Sequence, residues 1–214
     1  MDKPDLTGIQ IIHRAMRADL HRLAELTADI EAGRERADQD RAAATAKFVQ
    51  DVCHAIHTHH TREDDLVWPL IERHAGAAID LSDLSEDHSE LDPLLEEVQA
   101  AARTFAAGGE VTALAAAVKR LTALLDEHVE AEEATIFPVI RQYVPAAEWD
   151  DVEQAMARGK LNELRLEICW VAQYATRDEL AHIRASAGPV VPVLMALLRP
   201  GHRRRRRAVF GSTG

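Results

Sequence analysis

Aromatic side chains are scarce, 4% of the chain, and glycine supplies only ten of its 214 residues. Sandwiches and barrels depend on aromatic and β-branched strands joined by glycine-rich turns, so the composition excludes them as the main plan. Cysteine is nearly absent. Cys53 and Cys169 are far apart and form no Cys-x-x-Cys pair, which predicts neither a disulfide framework nor a thiolate metal site and suits a reducing cytosol. No apolar run approaches the length of a membrane span, and the opening MDKPDLTGIQ has no basic segment followed by an apolar one. We therefore expect no signal peptide and a soluble, cytoplasmic protein.

What is abundant is alanine, leucine and acid. Hydrophobic residues make up 47% of the chain, enough at this length for one well-buried core plus an appendage. The formal net charge is -11, with acidic and basic residues interspersed over most of the chain, which argues against a general nucleic-acid binder. The expected fold class is all-α.

Apolar residues recur with a helical period in four segments. The first runs through Ile9, Ile12, Met16, Leu20, Leu23 and Leu26, with Thr7 as N-cap, and fades near Gly33. The second begins near Arg41, passes Phe48, Val52 and Ile56, and ends or bends where Pro69 follows Trp68. The third starts near Ser85, with Pro93 placed in its first turns, passes Leu91, Leu94, Leu95 and Val98, and stops at Gly108 and Gly109. The fourth starts near Thr112 and passes Leu114, Val118, Leu121 and Leu125 to HVEAEEATIFPVI, where Pro138 repeats the part of Pro69. Short connections make neighbours antiparallel, so residues 1–145 are expected to form a four-helix bundle. Residues 146–214 are expected to add two or three helices as a C-terminal extension with a basic tail.

The two halves of the bundle repeat one plan. A lone histidine early in one helix, His13 or His88, is followed late in the next by His-x-x-x-Glu, His59 with Glu63 or His128 with Glu132. An aromatic-proline pair then closes each half. Residues four apart on a helix sit on one face about 6 Å apart along the axis, so each His-x-x-x-Glu is a natural chelating pair. His21 and Glu25 share the spacing without the surrounding pattern and are read as surface. The remaining six residues, His13, His59, Glu63, His88, His128 and Glu132, supply four imidazoles and two carboxylates, a donor set that suits iron, manganese or zinc.

The order of these motifs, with ED or EE after the histidine and a Trp-Pro or Phe-Pro close, resembles the hemerythrin-like, cation-binding HHE family over about residues 7 to 142. The resemblance implies two non-haem iron ions, oxo- or hydroxo-bridged, with His59 and His128 capping the metals, Glu63 and Glu132 bridging them, and His13 and His88 filling further positions. It implies binding or sensing of oxygen, nitric oxide or peroxide. The alternative function is a di-iron enzyme that decomposes peroxide or reduces nitric oxide. Oxygen-carrying hemerythrins present His-x-x-x-His on the third helix, whereas this chain has His88 with Asp92. Asp92, His60 or water are the candidates for the missing imidazole.

His54, His57 and His60 recur every three residues and are read as one partly exposed side of the second helix. Glu179 and His182 are the one Glu-x-x-His spacing and lie in the extension, so a ferritin-like site fails on residue order. The tail HRRRRR after VVPVLMALL is read as a docked helix with a solvated basic end. Weak contact with an acidic membrane surface is its other reading, and no specific nucleic acid is expected.

Overall fold

The computed structural model describes residues 3–158, 161–186 and 190–211. These residues form helices and no strand. The bundle consists of α1 (Thr7–Glu31), α2 (Gln39–Arg62) with its continuation α3 (Trp68–Ala75), α4 (Ser82–Ala106) and α5 (Thr112–Tyr143). α1 packs along α5, α2 along α4, and α4 along α5, so the expected antiparallel four-helix bundle is what the chain forms.

Several boundaries differ from expectation for identifiable reasons. Thr7 is the first helical residue and not the N-cap; Asp5 upstream accepts hydrogen bonds from its N–H at 3.0 Å and its hydroxyl at 2.7 Å. α4 begins three residues earlier than Ser85, which leaves Pro93 well inside it. The helix tolerates the missing N–H because Pro93 lies on the exposed face, where water reaches the freed carbonyl. Pro138 likewise sits on the exposed face of α5, which runs through it to Tyr143. At Pro69 the outcome is different. Residues Glu63–Val67 form a π-helical turn, in which the Trp68 N–H bonds the carbonyl of Glu63 five residues back, and α3 follows without a break.

Two apolar clusters fill the bundle. The larger spans Ala15 to Leu26 on α1, Phe48 to Ile56 on α2, Leu91 to Phe105 on α4 and Leu114 to Val129 on α5. The smaller contains Ile9, Val67, Trp68, Leu84, Ile136 and Phe137. The six candidate ligands fall where the clusters meet, His13 between Ile9 and Ala15, His59 and Glu63 between Ile56 and Val67, His88 between Leu84 and Leu91, and His128 and Glu132 between Leu125 and Ile136. The site is thus a polar layer sandwiched between two dry ones.

The extension comprises α6 (Ala146–Met156), α7 (Leu161–Tyr174), α8 (Arg177–Ser186) and α9 (Val190–Phe210). The described residues thus hold four helices where two or three were expected; α6 ends at Met156, where the sequence turns to Ala-Arg-Gly, a helix-stop composition. α7 packs on α1 and α2, and α9 on α2 and α7. Their anchor is Asp19 of α1, fully buried, which accepts from Trp170 Nε1 at 2.6 Å and from the Tyr174 hydroxyl and pairs with the Arg206 guanidinium. Phe210 closes the far end, edge-on to Phe48 with ring centroids 5.2 Å apart. Cys53 and Cys169 are both buried and unbridged. No described helix is long and apolar enough to cross a membrane.

Candidate metal centre

His13, His59, Glu63, His88, His128 and Glu132 come together, none more than 5% exposed. Imidazole Nε2 atoms face each other in pairs, His13 with His59 at 2.9 Å and His88 with His128 at 3.2 Å. Glu63 Oε1 lies 3.0 Å from His59 Nε2 and 3.7 Å from His13 Nε2, while its Oε2 lies 3.8 Å from His88 Nε2. Glu132 Oε2 is 3.6 Å from His13 Nε2 and 3.6 Å from His128 Nε2. Each carboxylate therefore stands between two imidazole groups.

A reciprocal second layer explains the repeated motif. The acidic residue after each glutamate crosses to the lone histidine of the other half: the Nδ1 of His88 donates to Asp64 and that of His13 to Glu133, both at 2.9 Å. The aromatic that closes each motif stacks on the same histidine, Trp68 on His88 with planes 15° apart and Phe137 on His13 with planes 7° apart. A proton held on Nδ1 leaves the Nε2 lone pair pointing at the centre, the tautomer a metal requires. Asp87 does this for His128 at 3.2 Å. Among the described residues His59 has no such carboxylate: the residue matching Asp87, one place before the lone histidine, is Ile12.

His60 departs from its expected place on an exposed side. His57 is exposed and pairs with Asp92 at 2.8 Å on the outside of the bundle, but His60 is 4% exposed and turns inward. Its ring stacks on His88, and its Nε2 has no hydrogen-bond partner. An imidazole from α2 thus stands beside the lone histidine of α4, while Asp92 pairs with His57 outside the layer. Donor atoms converge as two sets, His13, His59 and Glu63 in one and His60, His88 and His128 in the other.

The electrostatics require something more. All four oxygens of Glu63 and Glu132 are buried without a hydrogen bond. An unsatisfied buried polar group costs about 1–3 kcal/mol, and a charge more. Burial pushes Glu63 upward, but His59 and the other imidazoles outweigh it and hold the carboxyl well below the usual range. Burial pushes Glu132 well above its ordinary value, and the neighbouring Glu63 charge adds to that. Burial lowers His13, yet Glu132 and Glu133 overcome it and raise the imidazole to about 10. His60 is driven well below its ordinary value by burial. A pair of carboxylates with bare oxygens among imidazoles, three of which have the outer nitrogen already engaged, fits a bound cation and little else.

Fold and site together define a helical-bundle protein with a His/carboxylate cation centre. The hemerythrin HHE cation binding domain matches residues 9–140, and the chain belongs to that family. No curated protein and no solved structure matches it.

Proposed function

We propose that the chain is a non-haem di-iron protein that binds or senses a small oxidant, oxygen, nitric oxide or peroxide. His13, His59 and Glu63 would hold one ion and His60, His88 and His128 the other, with Glu63 and Glu132 shared between them. The supporting observation is the placement of the carboxylates: the two oxygens of Glu63 are divided between the imidazole sets, and one oxygen of Glu132 is equidistant from His13 and His128. The division of the chain into a bundle to residue 145 and an extension from 146 belongs to the same reading.

When bound, an iron pair supplies reversible electron transfer and an open coordination position to the oxidant. The chain's residues provide the rest. Asp64, Asp87 and Glu133 fix the imidazole tautomers, and the two apolar clusters keep bulk water from the layer on both sides.

The enzymatic reading, peroxide decomposition or nitric oxide reduction, draws on one feature. Glu133, Asp64 and Asp87 are each more than a third exposed while bonded to a buried Nδ1, so protons can pass from solvent to the imidazole layer through them. Turnover under excess peroxide or nitric oxide separates a catalyst from a binder, which forms one adduct and stops.

The test of the main reading is metal analysis with optical spectra of the protein as isolated, after anaerobic reduction and after air exposure. Two irons per chain with near-ultraviolet iron bands that bleach on reduction are expected. Stoichiometric zinc, or no metal after supply of ferrous iron, would overturn it.

A further inference from the structure

Acid and base are unevenly distributed along this acidic chain. No Asp or Glu follows Glu179, yet Arg184, Arg199 and the run Arg203 to Arg207 do. Helix α9 turns Met195, His202, Arg206 and Val209 inward and leaves most of its guanidinium groups outside. Arg199, Arg203 and Arg207, spaced four apart, share one side of the helix.

Between α7 and α9 lies a cavity of about 350 Å³ walled by Arg199, Arg203, Arg206 and Arg207 together with His202 and Gln173. No carboxylate lines it among the described residues. Arg206 is its fixed member, 4% exposed and paired with buried Asp19. Arg199, Arg203 and Arg207 are exposed and pair with no carboxylate among the described residues. His202, 3% exposed, is kept uncharged by burial first and Arg206 second, and its Nε2 meets the Gln173 side chain at 3.1 Å. Guanidinium groups that share one hollow repel one another unless an anion lies between them. Their planar donor forks match phosphate oxygens two at a time, and the hollow falls within the size range of small-ligand sites.

We propose that the groove between α7 and α9 is a binding site for a phosphate-bearing ligand, gripped by Arg199, Arg203 and Arg207 over the anchored Arg206. The phosphate comes from a soluble ester or from a lipid headgroup. Val193 and Leu197, the most exposed large aliphatic side chains described, lie on the same helix at 57% and 71% exposure, Leu197 on the outer face that carries Arg204 and not in the groove.

The experiment uses the full chain, with and without metal, since the groove makes no use of the bundle's centre. Calorimetric titration with inorganic pyrophosphate is compared between the native protein, Arg204→Gln on the outer face of α9, and the triple variant Arg199→Gln, Arg203→Gln, Arg207→Gln, which leaves the Asp19–Arg206 pair intact. Flotation is run in parallel with phosphatidylcholine vesicles, with and without phosphatidic acid. Pyrophosphate binding that survives Arg204→Gln and weakens about tenfold per groove arginine removed supports the site with a soluble ligand. Flotation only with phosphatidic acid, kept in Arg204→Gln and lost in the triple variant, supports it with a lipid source. Absence of both, or binding unchanged in the triple variant, overturns it.

Discussion

His60 and His88 lie face to face, ring centroids 4.4 Å apart and planes 16° from parallel. The contact puts a fifth imidazole in the layer, from a residue whose counterpart in the other half, one place after His128, is Val129. If His60 belongs to the metal set, His60→Ala takes the content from two ions per chain to one. His57→Ala and Asp92→Ala, on the outside of the bundle, leave it at two. Metal analysis checks this, with far-ultraviolet circular dichroism as the control for folding. Two ions retained in His60→Ala would remove it from the set.

Glu132 makes opposite demands on the loaded and empty protein. Its oxygens are buried without a hydrogen bond, so in the metal-free chain the carboxyl is a liability. Glu132→Met, similar in volume and apolar, is expected to stabilise the metal-free protein by about 1–3 kcal/mol while abolishing full metal loading. Denaturant unfolding of chelator-treated protein measures the first and metal analysis the second. Destabilisation of the empty protein would mean that the carboxyl has a structural partner.

The helical period and the six buried residues were legible in the sequence because both depend on spacing along a single helix. The function of ED and EE was not, since Asp64 and Glu133 act on histidines 24 and 120 residues away across the bundle. Phe137 and Trp68 announced themselves as a repeat, but their stacking on His13 and His88 is a relation between helices. His60 is read two ways in the sequence, as a candidate for the missing imidazole and as part of an exposed side with His57, and the second reading fails. The i, i+3 rule put it with His57, but a residue next to His59 at the end of α2, just before the π-helical turn, faces α4 as readily as solvent. The extension's attachment through Asp19 and Arg206 had no signal, being two charges 187 residues apart.

Glu153 of α6 gives the fold a pH dependence outside the metal layer. Burial, then the nearby charges of Asp5 and Asp150, raise its carboxyl from 4.5 to about 7, against weaker opposing effects of Trp149 and His182. Below pH 4.5 the group is protonated folded or unfolded and costs nothing. Between about 4.5 and 7 only the unfolded chain ionises, so unfolding releases a proton and stability falls as pH rises; above 7 the loss is constant. A shift of that size corresponds to about 3 kcal/mol, which solvent screening of the half-buried group reduces to roughly 2 kcal/mol. Glu153→Gln should flatten the midpoint of unfolding across this window relative to the native chain, and parallel pH profiles would exclude the carboxyl as its source.

The pair of Asp19 and Arg206 decides whether the extension stays on the bundle. Both are nearly inaccessible, and Asp19 also receives Trp170 and Tyr174, so removing the carboxylate leaves one buried cation and two buried donors without an acceptor. Asp19→Ala is therefore expected to destabilise the protein by about 3–5 kcal/mol, more than a surface ion pair is worth. A desolvated ion pair gains little over a well-packed apolar pair. Asp19→Leu combined with Arg206→Met should thus recover much of the loss, short of the part due to Trp170 and Tyr174. Hydrogen exchange locates the effect: faster exchange in α7 and α9 of Asp19→Ala, with α4 and α5 unchanged, identifies a latch. Uniform acceleration over the whole chain would instead make the pair part of the bundle's own core.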